Sequence, residues 1–354
     1  MLSVPPPSVP SEDGILGLVG RHFPNTHPSL LLGRGDDCAV LRGERPLCVS
    51  SDLFLEDVHF RRAYFTPEEV GHKALAVNVS DLAACGARPL AFTLCLGLPE
   101  WADMAWLDAF FGGMARLARE QRMALAGGDL SRSRDLHISV TVWGESPHGD
   151  QMDAFLSRGG SIPGDALFVV GQLGLARVGL DVLESRGRAA LEDWPAACAA
   201  HLRPEPQVAA GLMLARAGRN ARPPALMDLS DGLLRDLPRL LGLSGELGLH
   251  GNALGAELVL PQRLLHAEVL RHAAEHGKNP VHEALLGGED YALLGACAPD
   301  MLPALHAAIP GFMAIGTVTD GGGLTCNGEP LHGLRGFDHF ETAGATPDKE
   351  EGEA

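Results

Sequence analysis

Residues 66–89, TPEEVGHKALAVNVSDLAACGARP, set a conflict that any fold of this chain must resolve. Thr66, Pro67 and Glu69 make a capping-box start with Pro at the first helical position. Gly86 supplies a left-handed stop, and Pro89 keeps the helix from restarting. Between these signals Ala74, Leu75, Ala76, Val77, Val79, Leu82, Ala83 and Ala84 go round the whole cylinder, as in a helix packed on all sides. Yet Asn78, Ser80 and Asp81 sit in its middle. A buried carboxylate costs several kcal/mol unless it is paired, hydrogen-bonded or bound to metal. No Lys or Arg lies within one turn of Asp81, so its compensation comes from elsewhere in the fold, from backbone N–H groups or from a cation.

The formal charge of −17 argues against nucleic acid as a partner, because tracking phosphates needs a basic surface. Small phosphorylated ligands remain compatible with it, since carboxylates hold them through divalent ions. The chain's 354 residues are enough for two cores. The Gly-, Pro-, Ser- and Asp-rich segment 144–165 is the expected boundary, with one domain over 13–145 and another over 160–342. Residues 1–12 and 343–354 read as disordered tails. Seven cysteines show no C-x-x-C pair and read as small apolar residues in a reducing compartment, those at 48, 85 and 95 lying in apolar runs. None of the fifteen histidines falls in H-E-x-x-H, so most are expected to have no special role. There is no apolar run of about 18 residues and no leader at MLSVPPPSVP, which points to the cytoplasm.

Strands are predicted at 38–41, 47–51, 90–98, 123–126, 137–143, 166–170, 223–226, 291–297 and 313–318. Helices are predicted at 13–24, 101–121 and 261–276, with helical segments from 171 to about 219. Helix 101–121 would bury Trp101, Ala105, Leu107, Phe110, Phe111, Met114 and Leu117. Strands and helices alternate in both halves, so each half is expected to be a layered α/β (α+β) domain.

One local event recurs: an apolar strand meets a short acidic tag where the chain turns. Asp37 starts one strand, Ser50-Ser51-Asp52 ends the next, and Asp129 follows Gly127-Gly128 after another. Asp228 and Asp231 flank the end of a fourth, with Ser230 placed to cap a helix that Pro238 should kink or shorten. Glu289 and Asp290 precede a fifth. Any one tag is more often a cap or turn than a site. Together, at strand ends where layered proteins bind ligands, they form a candidate crevice. Clustered carboxylates repel one another unless cations sit among them, and an oxygen set without Cys or His favours Mg²⁺. Gly33-Arg34-Gly35 reads as turn chemistry. Neither G-x-x-x-x-G-K-[ST] nor a strand-linked G-x-G-x-x-G occurs, so ATP would be held through metals and not by a P-loop.

The tags together resemble the thiamine-monophosphate kinase family of the PurM-like ATP-binding superfamily. They are GDDCAVL (35–41), SSDLFLEDVHF (50–60), GHKALAVNVSDLAACGARP (71–89), GGD (127–129), SRGGSIPGD (157–165), LRPEPQ (202–207), MDLSDGLLRDL (227–237), GGEDYALL (287–294) and GFDHF (336–340). The resemblance implies a two-domain PurM-like fold, an N-terminal ATP/Mg-binding and dimerisation domain, and a homodimer. It implies ATP-dependent phosphorylation of thiamine monophosphate to thiamine diphosphate with several Mg²⁺ ions, transferred directly without a phosphoenzyme. On the family pattern Asp37, Ser50, Ser51, Asp52, Asp81, Asp129, Asp228 and Asp231 are metal ligands, with Asp52, Asp81 and Asp231 catalytic. Gly128, Asp129, Arg158 and Ser230 are ATP contacts, and His59, Glu289 and Phe337 form the substrate side. Ser51 replaces a more usual Thr, Leu130 stands where Thr often follows GGD, and Phe337 stands where Tyr or Trp is common. The competing readings are another ATP-using synthetase of the superfamily, a non-catalytic metal- or nucleotide-binding protein, and a metal-dependent phosphatase.

Overall fold

The computed structural model describes residues 30–32, 36–37, 39–41, 46–146, 155–218, 222–242 and 254–331. The predicted helix 13–24, the Gly33-Arg34-Gly35 turn, Phe337 and both tails lie outside the described residues.

The organising element is α1 (Pro67–Ala84), capped at Thr66 by a reciprocal box with Glu69 and stopped by Gly86 at φ 63°. From Glu69 onward every residue of α1 is buried except Asp81. Glycines make this possible. A Cβ on Gly71 would lie 2.0 Å from the Phe110 carbonyl oxygen of α2 (Met104–Glu120). A Cβ on Gly113 of α2 would lie 2.0 Å from Glu68 O. On the other flank, Gly211 of a third helix, Val208–Ala217, meets Ala83 O in the same way. Helices separated only by hydrogen atoms leave α1 no room to shift.

α1 packs on a six-stranded sheet ordered β1-β2-β3-β6-β4-β5. Its strands are β1 (Leu30–Leu32), β2 (Ala39–Leu41), β3 (Leu47–Leu55), β4 (Arg88–Leu98), β5 (Ala124–Arg132) and β6 (His137–Glu145). All pairings are antiparallel except β4 with β5. A second, seven-stranded sheet is built from residues 166–330, ordered β13-β12-β9-β11-β7-β10-β8, in which β9 is Leu254–Leu258, β12 is Leu324–Cys326 and β13 is Glu329–Pro330. At its centre β7 (Ala166–Val170) is buried at every residue, flanked by β10 (Leu293–Cys297) and β11 (Phe312–Asp320). β8 (Ala225–Asp228) is the edge strand nearest α1. Arg188 joins the two halves, donating to Glu69 Oε2 at 2.7 Å and to the Tyr64 carbonyl at 2.7 Å.

Several expectations change. β3 continues to Leu55, so Asp52 lies inside a strand and not at its end. β5 likewise runs through Gly127-Gly128-Asp129. α2 buries Phe110, Met114 and Leu117 as expected, but Ala105 and Phe111 are exposed. Cys95 is exposed, whereas Cys48 and Cys85 are buried. The segment 261–276 is α-helical only over Ala267–Glu275, after a 3₁₀ turn at Gln262–Leu264, because Leu265 and His266 are extended and the His266 imidazole caps the helix by accepting from Glu268 N. Ser230 caps nothing. The helix Leu233–Leu240 begins after Gly232, and Asp236 reaches back to accept from the N–H groups of Asp231 and Gly232. Pro238 sits inside this helix, which ends two residues later. Among the described residues no helix is long and apolar enough to cross a membrane.

Candidate active site

Asp81 projects from the last turn of α1 toward the end of β8, where Asp228 is the final residue, and toward Asp37, just ahead of β2. Asp37, Asp81 and Asp228 each place an oxygen within 4.8 Å of the others. Ser50 donates to Asp81 Oδ2 at 2.5 Å. Burial and the charge of Asp52 push the Asp81 carboxyl well above its ordinary range, and burial and Asp37 do the same to Asp228. Asp52 is pushed up to about 6 by burial and by repulsion from Asp37 and Asp231.

The compensating charge present is partial. Arg158 Nη2 lies 2.5 Å from Asp37 Oδ1, while the Arg158 backbone N–H donates to Asp36. Arg239 donates to Asp231 Oδ2 at 2.7 Å and to Asp236 Oδ1 at 2.9 Å. Asp37 Oδ2 is buried with no hydrogen-bond partner. A buried, unpaired oxygen among all-oxygen donors of like charge fits a hard divalent cation such as Mg²⁺.

The carboxylates of Asp52, Asp81, Asp228 and Asp231 open onto a cavity of about 270 Å³ that Ser230 also lines. His59, Val58, Arg177, Glu289 and Tyr291 line the same cavity. His59 Nδ1 accepts the Leu55 N–H at 3.0 Å, which puts the ring proton on Nε2 as a donor. Phe54 stacks on the imidazole at 5.6 Å. Glu289 adopts φ 62° and donates its N–H to Ser230 O at 2.7 Å, which ties it by a main-chain bond to the turn that carries Asp231.

Most of the expected residues therefore meet, but three do not. In a strand neighbouring side chains point to opposite faces. Ser50 and Asp52 face α1, whereas Ser51 faces outward and shares a hydrogen bond with Thr141. Asp129 pairs in register with Cys95, which pairs with Ser139, and Ser139 with Leu53. Asp129 thus sits on the same outer face as Ser51, exposed, on the edge strand with Gly128. Within one chain, Ser51, Gly128 and Asp129 do not reach the carboxylate cluster through their side chains. Phe337 lies outside the described residues.

Four participants escaped the sequence reading: Arg177, Tyr291, Lys73 and His201. A signal existed for Lys73, because a Lys in a helix apolar all round poses the same question as Asp81. The expectation that the histidines show no H-x-x-x-H clustering is also wrong, because His272 and His276 have that spacing. Those two rings sit 4.2 Å apart, and His272 forms a second cluster with Asp181 and Glu283. There Lys278 lies 3.3 Å from Asp181 and 3.2 Å from Glu283, so the cluster already holds its cation and reads as an ion-pair network.

Comparison with known proteins bears directly on this arrangement. Residues 35–146 match the family model AIR synthase related protein, N-terminal domain. The thiamine-monophosphate kinase of Escherichia coli K12 is 34% identical over 93% of this chain and 99% of its own length. That of Mycobacterium tuberculosis H37Rv is 35% identical over 91% and 88%. The chain belongs to the thiamine-monophosphate kinase family. It is an enzyme, a kinase, with the two-sheet PurM-like architecture of that family. The solved structure of AaThiL complexed with AMPPCP and TMP superposes with a TM-score of 0.77 at 30% identity, covering 93% of this chain and 97% of that one. Hydrogenase maturation protein HypE in complex with ATP shares the fold alone, with a TM-score of 0.62 at 22% identity over 88% and 91%.

Proposed function

We propose that this protein phosphorylates thiamine monophosphate to thiamine diphosphate with ATP, by direct in-line transfer assisted by several Mg²⁺ ions. ATP-dependent phosphorylation of thiamine monophosphate is the activity of the family to which the chain belongs. The observation that carries the reading is the meeting of Asp37, Asp81 and Asp228, the last two of which line one cavity together with His59 and Glu289.

Donor and acceptor are both polyanions, so the barrier is dominated by charge repulsion and alignment and needs no covalent nucleophile. Asp37, Asp52, Asp81, Asp228 and Asp231, with the Ser50 hydroxyl, would hold Mg²⁺. Bound there, the ions neutralise and orient phosphate oxygens. Arg158 and Ser230 contact the nucleotide. His59 presents its Nε2–H to the acceptor, Glu289 accepts hydrogen bonds from it, and Phe337 is proposed as a further substrate contact on the family pattern alone. Van der Waals contact with Val58 and Tyr291 keeps water from the acceptor end.

We also propose a homodimer of cytoplasmic chains, each divided into domains 13–145 and 160–342. Support comes from β5, an exposed edge strand bearing Leu125 and Leu130, and from the open face that carries Leu53. A partner seated on that face meets Ser51, Gly128 and Asp129, so their ligand roles are proposed across the subunit contact.

The test is purified protein with ATP, Mg²⁺ and thiamine monophosphate, scored for thiamine diphosphate against a thiamine control. Phosphate release from thiamine monophosphate without ATP would favour the phosphatase reading. No product in either reaction would refute the proposal.

A further inference from the structure

Lys73 is wholly buried in α1, two turns before Asp81, and takes no part in the metal cluster. Its Nζ lies 3.0 Å from Glu289 Oε1. From the other side His201, also buried, brings Nδ1 to 3.1 Å from Glu289 Oε2. Neither Nζ nor Nδ1 has any other hydrogen-bond partner. Lys73 is backed by the Phe65 ring at 5.4 Å, and His201 packs against Tyr64 and Phe65. Of the three polar groups only Glu289 reaches the cavity, with its side chain 26% exposed.

Stability does not account for this arrangement. A buried ion pair is on balance worth little to folding, because desolvation offsets the attraction. Glu289 also holds a left-handed backbone, φ 62°, which is strained for a residue other than glycine. Buried charge and backbone strain converge on one carboxylate at the cavity wall, which is where strain serves a function.

We propose that Lys73 and His201 are positioning residues for the acceptor substrate. They grip the two oxygens of Glu289 from behind, so that its remaining lone pairs are fixed toward the cavity to receive N–H donors of the ligand. This rests on the kinase reading, because the donor in question is the amino group of the aminopyrimidine ring of thiamine monophosphate, the thiazolium nitrogen being quaternary and carrying no hydrogen. Burial lowers the basicity of Lys73 and of His201, the latter further through the charge of Lys73, so His201 acts as a neutral Nδ1–H donor. Burial raises the Glu289 carboxyl, but the charge of Lys73 overrides it and holds the group well below the usual carboxylate range. The pair Lys73–Glu289 is thus neutral overall. It recognises the ligand by the direction of its hydrogen bonds and does not add net negative charge beside the aspartates.

The test is isothermal titration of wild type, Lys73→Met, His201→Asn, Glu289→Gln and the double variant Lys73→Met/Glu289→Gln. Thiamine monophosphate and Mg²⁺–AMPPCP are titrated separately, and kcat and KM are measured alongside. Lys73→Met should lose at least tenfold in thiamine monophosphate affinity while AMPPCP affinity stays within twofold. The double variant should bind no more weakly than Glu289→Gln alone, because the clamp has nothing left to hold. His201→Asn should raise KM for thiamine monophosphate with kcat little changed, which keeps the test open if Lys73→Met fails to fold. Thiamine monophosphate affinity within twofold of wild type in either clamp variant would overturn the proposal. So would parallel losses for both ligands, which would mark a structural role. Wild type failing to bind thiamine monophosphate would instead refute the kinase reading.

Discussion

Asp52→Asn should make the metal-free protein more stable while removing its activity. Burial and two like charges lift the Asp52 carboxyl from 3.8 to about 6. A group whose folded value is raised contributes stability that is complete below the unfolded value and is lost as pH rises through the folded one. Asp52 therefore contributes fully below about pH 4 and has lost that contribution by about pH 7. At about 1.4 kcal/mol per pH unit, the loss amounts to at most about 3 kcal/mol. Asn keeps the shape and cannot ionise, and the Asp52 backbone N–H retains its bond to Asn78 Oδ1. Urea denaturation in EDTA should show the variant gaining up to about 3 kcal/mol on wild type between pH 4 and 8, with no gap at the acid end. Added Mg²⁺ should reverse the order, since only the wild type offers a complete oxygen set. A gap that does not change with pH would refute the electrostatic reasoning. Near-normal turnover at saturating Mg²⁺ would remove Asp52 from the catalytic group.

Asp231→Asn should abolish turnover with the circular dichroism spectrum unchanged, because Arg239 keeps its second partner, Asp236. Glu289→Gln should weaken thiamine monophosphate more than AMPPCP in titration calorimetry, and the reverse order would contradict the substrate-side assignment. Gly71→Ala should destabilise by about 3 kcal/mol or more in chemical denaturation, because its methyl would strike the Phe110 carbonyl of a neighbouring helix and backbone cannot swing aside. Leu130→Asp should shift the protein to monomer in light scattering if β5 is a subunit contact. An unchanged mass would remove that strand from the interface.

The central helix was legible because its start, its stop and its burial are all written locally, in Thr66 and Glu69, in Gly86, and in apolar residues on every side. The meeting of Asp37, Asp81 and Asp228 was legible more indirectly, as a buried charge lacking a partner and acidic tags repeating beside strands. Alternation in β3 could have separated Ser51 from its neighbours, since three consecutive strand residues cannot all point at one ion. Asp129 was harder. Two glycines precede it in an exposed edge strand, so no apolar alternation marks its face. The late start of the helix Ala267–Glu275 and the failure of Ser230 as a cap depended on His266 and Asp236, each of which accepts from backbone N–H groups at the start of its own helix. Lys73 and His201 are 128 residues apart along the chain and meet only through Glu289, a pairing that no local pattern carries.

Lys73 and Asp81 ride on the same helix, eight residues apart, which at 1.5 Å per residue is ~12 Å. Glycines lock that helix against its neighbours, so on the substrate assignment proposed above it fixes the spacing between the Lys73–Glu289 contact and the carboxylate cluster. On that assignment an acceptor would be selected for length as well as for chemistry. One residue inserted between positions 73 and 81 would turn one end away from the cleft by about 100° and leave both ends chemically intact but unable to serve the same molecule.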